Sequence, residues 1–422
     1  MSARPMKRID KKSLRVALVM PPSPYLANDL AYPPMGLLYI AAVIRQWRPQ
    51  HTVEVIELGG RIDWRARAQE IRADVVGIQC VTPNQYIVNE IVGLLPSESI
   101  SVVGGIHPTY LPDIVENEIA CDVIVCGEAE KAMIRVLDDI VRGECQRRYN
   151  AEPIENLDDL PMPALDLVDI DKYRPGGDRA LTVYTSRGCI FACKFCSMMN
   201  AKTIRYYSPE RVVAECRRAN EQYGITHFVF GDDNIGIDMN RLRVLLEALT
   251  PLKCTFRLNM SVGYIADDVA RAAKAAGCTD ISFGVETFSQ KMLRAMKKPA
   301  TAERNIRAIK KTQEYDMRAK AYLMVNYHGE TEETVNESLD GLSVARPDRW
   351  LLSAFVPLPG SEAFHQPKNL GIRWLSSNWE DYYLVGSNGS FRPAFETDVL
   401  TVERQIELHD QLYYGCQQIL GG

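Results

Sequence analysis

The chain alternates between short apolar runs and longer stretches with apolar residues at helical spacing. From residue 14, LRVALVM is a continuous β-rich run, and PPMGLLYIAAVIRQW follows it as a helix with prolines at its start. HTVEVIEL, ADVVGIQCVT, SISVVGG and CDVIVCGE predict four more buried strands, each followed by a helix. Strands that are nearly all Val and Ile, separated by helices, belong to a parallel sheet covered on both faces, since no polar alternation marks a solvated side. Residues 1–145 are therefore expected to form a doubly wound, Rossmann-like α/β domain.

The pattern lapses over residues 146–180, where ENLDDLPMPALDLVDIDKYRPGGD has prolines, acids and paired glycines without periodicity and reads as a linker. It resumes over 181–371 with strands near LTVYTS, THFVFGDD, CTFRLNMSV, TDISFGVE, AKAYLMVN and RWLLSAFV. Six β/α units are too few to close an eight-stranded barrel, so a partial TIM-like (β/α)6 barrel is expected. Residues 372–422 form a short, mostly helical C-terminal segment ending in VERQIELHDQLYYGCQQIL.

Composition narrows the class. With 46% hydrophobic and 24% charged residues the 422-residue chain can bury full cores, which excludes wholesale disorder. The formal charge of −5 gives no global basic field, so no nucleic-acid partner is expected. No apolar run reaches the roughly eighteen residues of a membrane span. The basic N-terminus runs into VALVMPPSPY, too short and proline-broken for a signal peptide, so a cytoplasmic location is expected. Eleven cysteines spread along such a chain read as reduced thiols or a metal site.

Three of them carry the strongest signal. In SRGCIFACKFCSMMN, Cys189, Cys193 and Cys196 are spaced C-x3-C-x2-C just after the first strand of the second domain. Three thiolates on one loop suit an iron–sulfur cluster with one iron left open. A structural zinc site would be closed by a fourth Cys or His nearby, and none follows within the next 19 residues.

This spacing, with Phe195 before the third cysteine and a partial barrel around it, resembles the radical S-adenosylmethionine superfamily. The resemblance implies that the three cysteines hold a 4Fe-4S cluster whose open iron takes S-adenosylmethionine, and that a low-potential electron donor such as flavodoxin or ferredoxin reduces it. It implies S-adenosylmethionine contacts from Phe195 and from strand-end residues, Asp233, Arg257 and Glu286 first among them. Asp232 reads equally well as a helix cap. Relatives carry a Gly-Leu-Pro-Gly-Glu-Thr turn after the fifth barrel strand; this chain has Asn326, Tyr327, His328, Gly329, Glu330 and Thr331 instead.

An open parallel sheet binds ligands beyond the carboxyl ends of its strands. In the first domain those ends are rich in glycine but show neither a G-x-G-x-x-G nor a Walker motif. PPMGLLYIAA, VVGGIHPTYLP and VIVCGEAEKA, with the linker phrase LDDLPMPALDLVDIDKY, resemble the cobalamin-binding domain of cobalamin-dependent radical S-adenosylmethionine enzymes. The resemblance covers residues 14–370 and implies cobalamin contacts from Gly36, Thr82, Gly104, Gly105, Ile106, His107, Gly127 and Glu128. The Asp-x-His-x-x-Gly motif that ligates cobalt through histidine is absent, so residues 82–85 are expected to face the lower side of the corrin and His107 to be hydrogen-bonded rather than cobalt-bound. The two cofactors together imply methyl transfer through methylcobalamin to an unactivated carbon of a small-molecule or peptide substrate, activated by a 5′-deoxyadenosyl radical. A radical cyclisation or rearrangement without methyl transfer, and a cobalamin sensor with a structural cluster, are the rival readings.

Overall fold

The first six strands are β1 (Arg15–Met20), β2 (Thr52–Glu57), β3 (Val75–Gln79), β4 (Ile100–Gly104), β5 (Val123–Cys126) and β6 (Arg148–Asn150). They form one all-parallel sheet in the order β2-β1-β3-β4-β5-β6. Order reverses at β1, so the switch point lies between β1 and β3. The computed structural model describes residues 7–26, 28–60, 63–173, 179–198, 202–385 and 390–421. Its described part divides into two units, Met1–Gly177 with Asn378–Glu380, and Asp178–Ser377 with Asp381–Gly422.

Both faces of the first sheet are covered, as its apolar runs require. Ala17, Val19, Val76, Ile78, Val103 and Ile124 share a core with Ile87, Val88, Ile91 and Val115. The alternate residues turn the other way, towards the helices Met35–Trp47 and Ala129–Arg142, where Gly77 brings Leu18 and Met133 close to its backbone.

The sequence reading ended this domain at 145 and found five strands; the structure carries the sheet on through β6. The segment after it is not a surface linker. Ile154, Leu157, Leu160, Leu165, Ile170 and Tyr173 are buried, the Ile154 amide donates to Glu128 Oε2 (2.8 Å), and the Ala164 amide donates to the Leu38 carbonyl (3.1 Å). Short 3-10 turns space these apolar residues irregularly, which hid them from any helix or strand period.

The second unit is built on β7 (Leu181–Val183), β10 (His227–Phe230), β11 (Thr255–Met260), β12 (Cys278–Glu286), β13 (Arg318–Val325) and β14 (Arg349–Ala354), parallel and in sequential order, as expected of six β/α units. A small antiparallel ribbon, β8 (Ser186–Arg187) with β9 (Arg205–Tyr206), frames the loop that follows β7. Outward residues such as Ile281, Phe283 and Val285 are fully buried against the helices. After β14 the chain forms an antiparallel pair the sequence reading did not find, β15 (Ile372–Leu375) with β16 (Phe395–Thr397), and then the helix Val402–Leu420. Phe395 and Tyr382 are core residues, and the Tyr382 hydroxyl donates to the Ser376 carbonyl (2.7 Å).

Candidate functional site

In the second unit the three cysteines lie on the loop beyond the carboxyl end of β7, where a β/α barrel places its chemistry. The loop is fixed by bonds to residues distant in the sequence. The Lys194 amide donates to the Met296 carbonyl (3.0 Å), the Ala363 amide to the Lys194 carbonyl (3.1 Å), and Ser197 Oγ to the Pro359 carbonyl. Phe195 packs beside the core of Met292, Met296, Tyr327, Phe355 and Phe395, anchoring the loop between Cys193 and Cys196.

The base of the loop is held by Asp232. Its buried carboxylate accepts from the Thr185 amide (3.2 Å), Thr185 Oγ1 (2.9 Å) and Ser186 Oγ. Arg241 completes this support, donating from Nη2 to the carbonyls of Thr185 and Tyr207, each at 2.7 Å. Asp232 is thus tied to the loop's base, and it is Asp238 that caps the helix that follows.

The thiols fit a polynuclear cluster. Each of the three is perturbed by burial first, and Cys196 also by Cys193 and Cys189, so they share one environment. Among the described residues no three His, Cys, Asp or Glu side chains stand close enough to hold a single metal ion. Three soft sulfur ligands on one loop suit an iron–sulfur cluster.

Beside them Glu286 ends β12 in a left-handed conformation, φ 62°, which costs a non-glycine residue about 1–3 kcal/mol and points to a constrained site. Its Oε1 accepts from Lys298 Nζ at 2.7 Å, and both side chains are buried, 10% and 13% exposed. Lys298 also lies 5.9 Å from the centre of the Phe195 ring. Burial opposes its charge, but Glu286 and the cysteines outweigh this and leave the ammonium above its ordinary range. Gly284 makes the pair possible: a Cβ there would lie 2.7 Å from both Glu286 Oε1 and Lys298 Nζ. Lys298 was missed from sequence because a lysine in KKP after a short helix has no periodic or motif signature.

Asp233 sits at the same strand-end level. It is exposed at the mouth, yet surrounding protein raises its carboxyl through burial, opposed by a bond from the Gly188 amide. Arg257 is not brought to this group. It pairs in register with Asp280, six residues before Glu286 on the neighbouring strand, roughly 20 Å down the barrel. On β11 it is Asn259 that reaches towards the site, its Nδ2 3.4 Å from the Asp232 carbonyl. The unusual turn at 326–331 is built without proline: Asn326 adopts φ 71°, and buried Glu330 accepts from its amide. His328 is half-buried, and its Nδ1 has no partner among the described residues.

In the first unit the predicted contacts gather at the strand ends flanking the switch point. A Cβ on Gly36 would meet nothing within 4 Å, whereas one on Gly105 (φ 126°) would lie 2.5 Å from the Cys80 carbonyl oxygen. The first leaves open space above the backbone and the second allows the loop its tight turn. His107 is fully buried, Nδ1 lies 3.3 Å from Thr82 Oγ1, and Nε2 has no partner among the described residues. An orphaned imidazole nitrogen on one strand-end loop, with open backbone at Gly36 on another, fits a large polar ligand such as cobalamin at these strand ends. Ile106 begins the short helix Ile106–Tyr110, and Gly104 and Gly127 (φ 90°) end β4 and follow β5. The Glu128 carboxylate also holds the Ile154 amide.

Burial lowers the His107 imidazole to about 4. Its neutral form therefore stabilises the ligand-free fold above the unfolded value near 6.5, and the contribution, about 3 kcal/mol, is lost as pH falls towards 4. Urea unfolding of the first unit at pH 7 and at pH 4.5 should show this acid loss, and His107→Gln should flatten it. An equal acid loss in the variant would overturn the assignment.

Residues 29–137 match the B12 binding domain model, and residues 183–342 match the Radical SAM superfamily model. An uncharacterised methyltransferase of Pyrococcus horikoshii is 29% identical over 407 residues, covering 89% of this chain and 87% of that protein. A bacteriochlorophyllide d C-12(1)-methyltransferase of Chlorobaculum tepidum is 24% identical over 322 residues, covering 75% and 69%. The structure of the radical S-adenosylmethionine methyltransferase TsrM from Kitasatospora setae, with cobalamin and a 4Fe-4S cluster bound, shares the fold at a TM-score of 0.73 and 17% identity, over 95% of this chain and 88% of that one.

Proposed function

We propose, from the premise that this chain belongs to the cobalamin-dependent radical S-adenosylmethionine family, that it methylates a carbon atom of a small-molecule or peptide substrate. The observation that carries this reading is one chain with two sites of different chemistry: a three-thiol loop at the top of a partial barrel, and a glycine-lined sheet end with an orphaned buried imidazole. When bound, the cluster and S-adenosylmethionine supply a 5′-deoxyadenosyl radical and cobalamin carries the methyl group.

The protein's part is to hold and orient. Cys189, Cys193 and Cys196 ligate the cluster. Asp233, Glu286 and Lys298 offer charged partners to the amino, ribose and carboxylate groups of S-adenosylmethionine, with Phe195 fixing the loop beside them. Gly36, Gly104, Gly105 and Gly127 let the corrin approach the backbone, and Thr82, Ile106 and His107 line the same strand ends. The reading carries with it a low-potential donor such as flavodoxin or ferredoxin. Relatives named as methyltransferases over most of their length support methylation, while relatives at similar identity that are named as cyclases support the cyclisation alternative.

The test needs no substrate. Anaerobically reconstituted protein with cobalamin, S-adenosylmethionine and a reductant should yield both S-adenosylhomocysteine with methylcobalamin and, separately, 5′-deoxyadenosine. Formation of 5′-deoxyadenosine with neither of the other two would overturn methylation in favour of a rearrangement.

A further inference from the structure

The inner face of the partial barrel gathers four cations, Arg257, Arg318, Lys320 and Arg349, around Asp280. Strand register sets Arg257 beside Asp280 and Asp280 beside Arg318. One layer towards the cluster it sets Ser282 beside Lys320 and Lys320 beside Arg349.

This face is open. On β13 and β14 the residues facing the helices, Ala319, Ala321, Leu323, Leu352 and Ala354, are buried. Of the inward residues, Lys320, Tyr322, Arg349, Leu351 and Ser353 are partly or fully exposed, and Met324, nearest the carboxyl end, is buried. In a closed eight-stranded barrel such positions are filled by layers of side chains from alternate strands. Six strands leave a trough.

Asp280 is the carboxylate shared by Arg318 and Arg349. It lies 2.9 Å from Arg318 Nη2 and only 3.8 Å from Arg349 Nη1, so Arg318 takes its hydrogen bond. Lys320 has no described carboxylate within ion-pair distance; its ammonium rests 4.8 Å from the centre of the Tyr322 ring. Burial, with Arg257 and Arg349 nearby, holds that ammonium below the ordinary lysine value. Like charges gathered in a half-buried trough repel one another, and a bound anion relieves the repulsion.

We propose that Lys320 and Arg349, with Arg257 beside them, form an oxyanion subsite in the barrel trough that binds a carboxylate or phosphate-type group of the organic substrate. The word substrate rests on the methyltransferase reading; the anion site does not. Lys320 pairs with Ser282, four residues before Glu286, so the anionic group would sit roughly 13 Å along the strands from the cluster end. That spacing selects an extended molecule, charged at one end and reacting at the other.

Calorimetric titration of cluster-loaded, cobalamin-loaded protein with inorganic phosphate and, separately, succinate tests the site. Saturable binding of at least one probe is expected, weakening as ionic strength rises. It should be at least about tenfold weaker in Lys320→Gln and in Arg349→Gln, with iron content and unfolding temperature as in the wild type. Arg349 is exposed enough that its variant tests the site even if Lys320→Gln folds poorly. Tighter phosphate binding assigns a phosphate-type group and tighter succinate binding a carboxylate. No saturable binding of either probe, or undiminished affinity in the variants, overturns the proposal. A protein that binds the probes but forms no S-adenosylhomocysteine keeps the subsite and loses the methyltransferase reading.

Discussion

Cys193→Ser should abolish the cluster while leaving the protein folded. A serine hydroxyl stays protonated where a thiolate is needed, and losing one anionic ligand costs on the order of 4 kcal/mol of cluster affinity, roughly a thousandfold. Iron after anaerobic reconstitution should fall to background, and reductive cleavage of S-adenosylmethionine should fall by about the same factor. The fold should persist because serine is nearly the same size and the loop's ties run through backbone groups of Lys194 and Ala363 and through Ser197. Cys145→Ser is the control: that cysteine lies in the first unit, 3.7 Å from the Tyr149 hydroxyl, and its loss should leave iron content unchanged. Wild-type iron and cleavage in Cys193→Ser would sink the assignment of the loop.

Lys298→Met should cost both stability and turnover, and a second substitution should separate the two. It leaves Glu286 as an unpaired carboxylate only 10% exposed, and breaking a buried pair in this way costs about 3–5 kcal/mol. The double variant Lys298→Met with Glu286→Gln removes the stranded charge and should regain most of that stability. It should not regain cleavage of S-adenosylmethionine. Thermal unfolding and 5′-deoxyadenosine yield, measured on the same samples, decide the matter. If the double variant recovers turnover along with stability, the pair is a structural tie and the proposed contact is wrong.

These two predictions differ in how far the sequence foretold them. The cysteine loop was legible because its chemistry is local: three ligands within eight residues, placed after a strand. The parallel sheets were legible because burial on both faces writes continuous apolar runs into β1, β3, β4 and β5. Residues 151–173 were misread as a linker because their buried side chains sit on 3-10 turns with no fixed period. The Lys298–Glu286 pair joins residues twelve apart through a space that exists because residue 284 is glycine, and no single-residue pattern encodes that. Arg257 shows the reverse error. A cation on a barrel strand looks like an S-adenosylmethionine contact until the register places it opposite Asp280, towards the amino end. In the turn at 326–331 Asn326, where glycine is expected, takes the left-handed conformation that glycine supplies, and Glu330, shared with the expected pattern, bonds its amide.

The lacing of the cysteine loop to Met296, Pro359 and Ala363 bears on how this protein survives oxygen. In a zinc finger the metal organises the chain, and stripping it unfolds the domain. Here the loop is tied to Met296, Pro359 and Ala363, so its conformational entropy is removed when the second unit folds rather than when iron arrives. Air exposure that destroys the inorganic core would leave an empty but shaped socket, protected from proteases and ready to be refilled. Damage to such a protein is repaired by delivering iron and sulfide, without synthesis of a new chain.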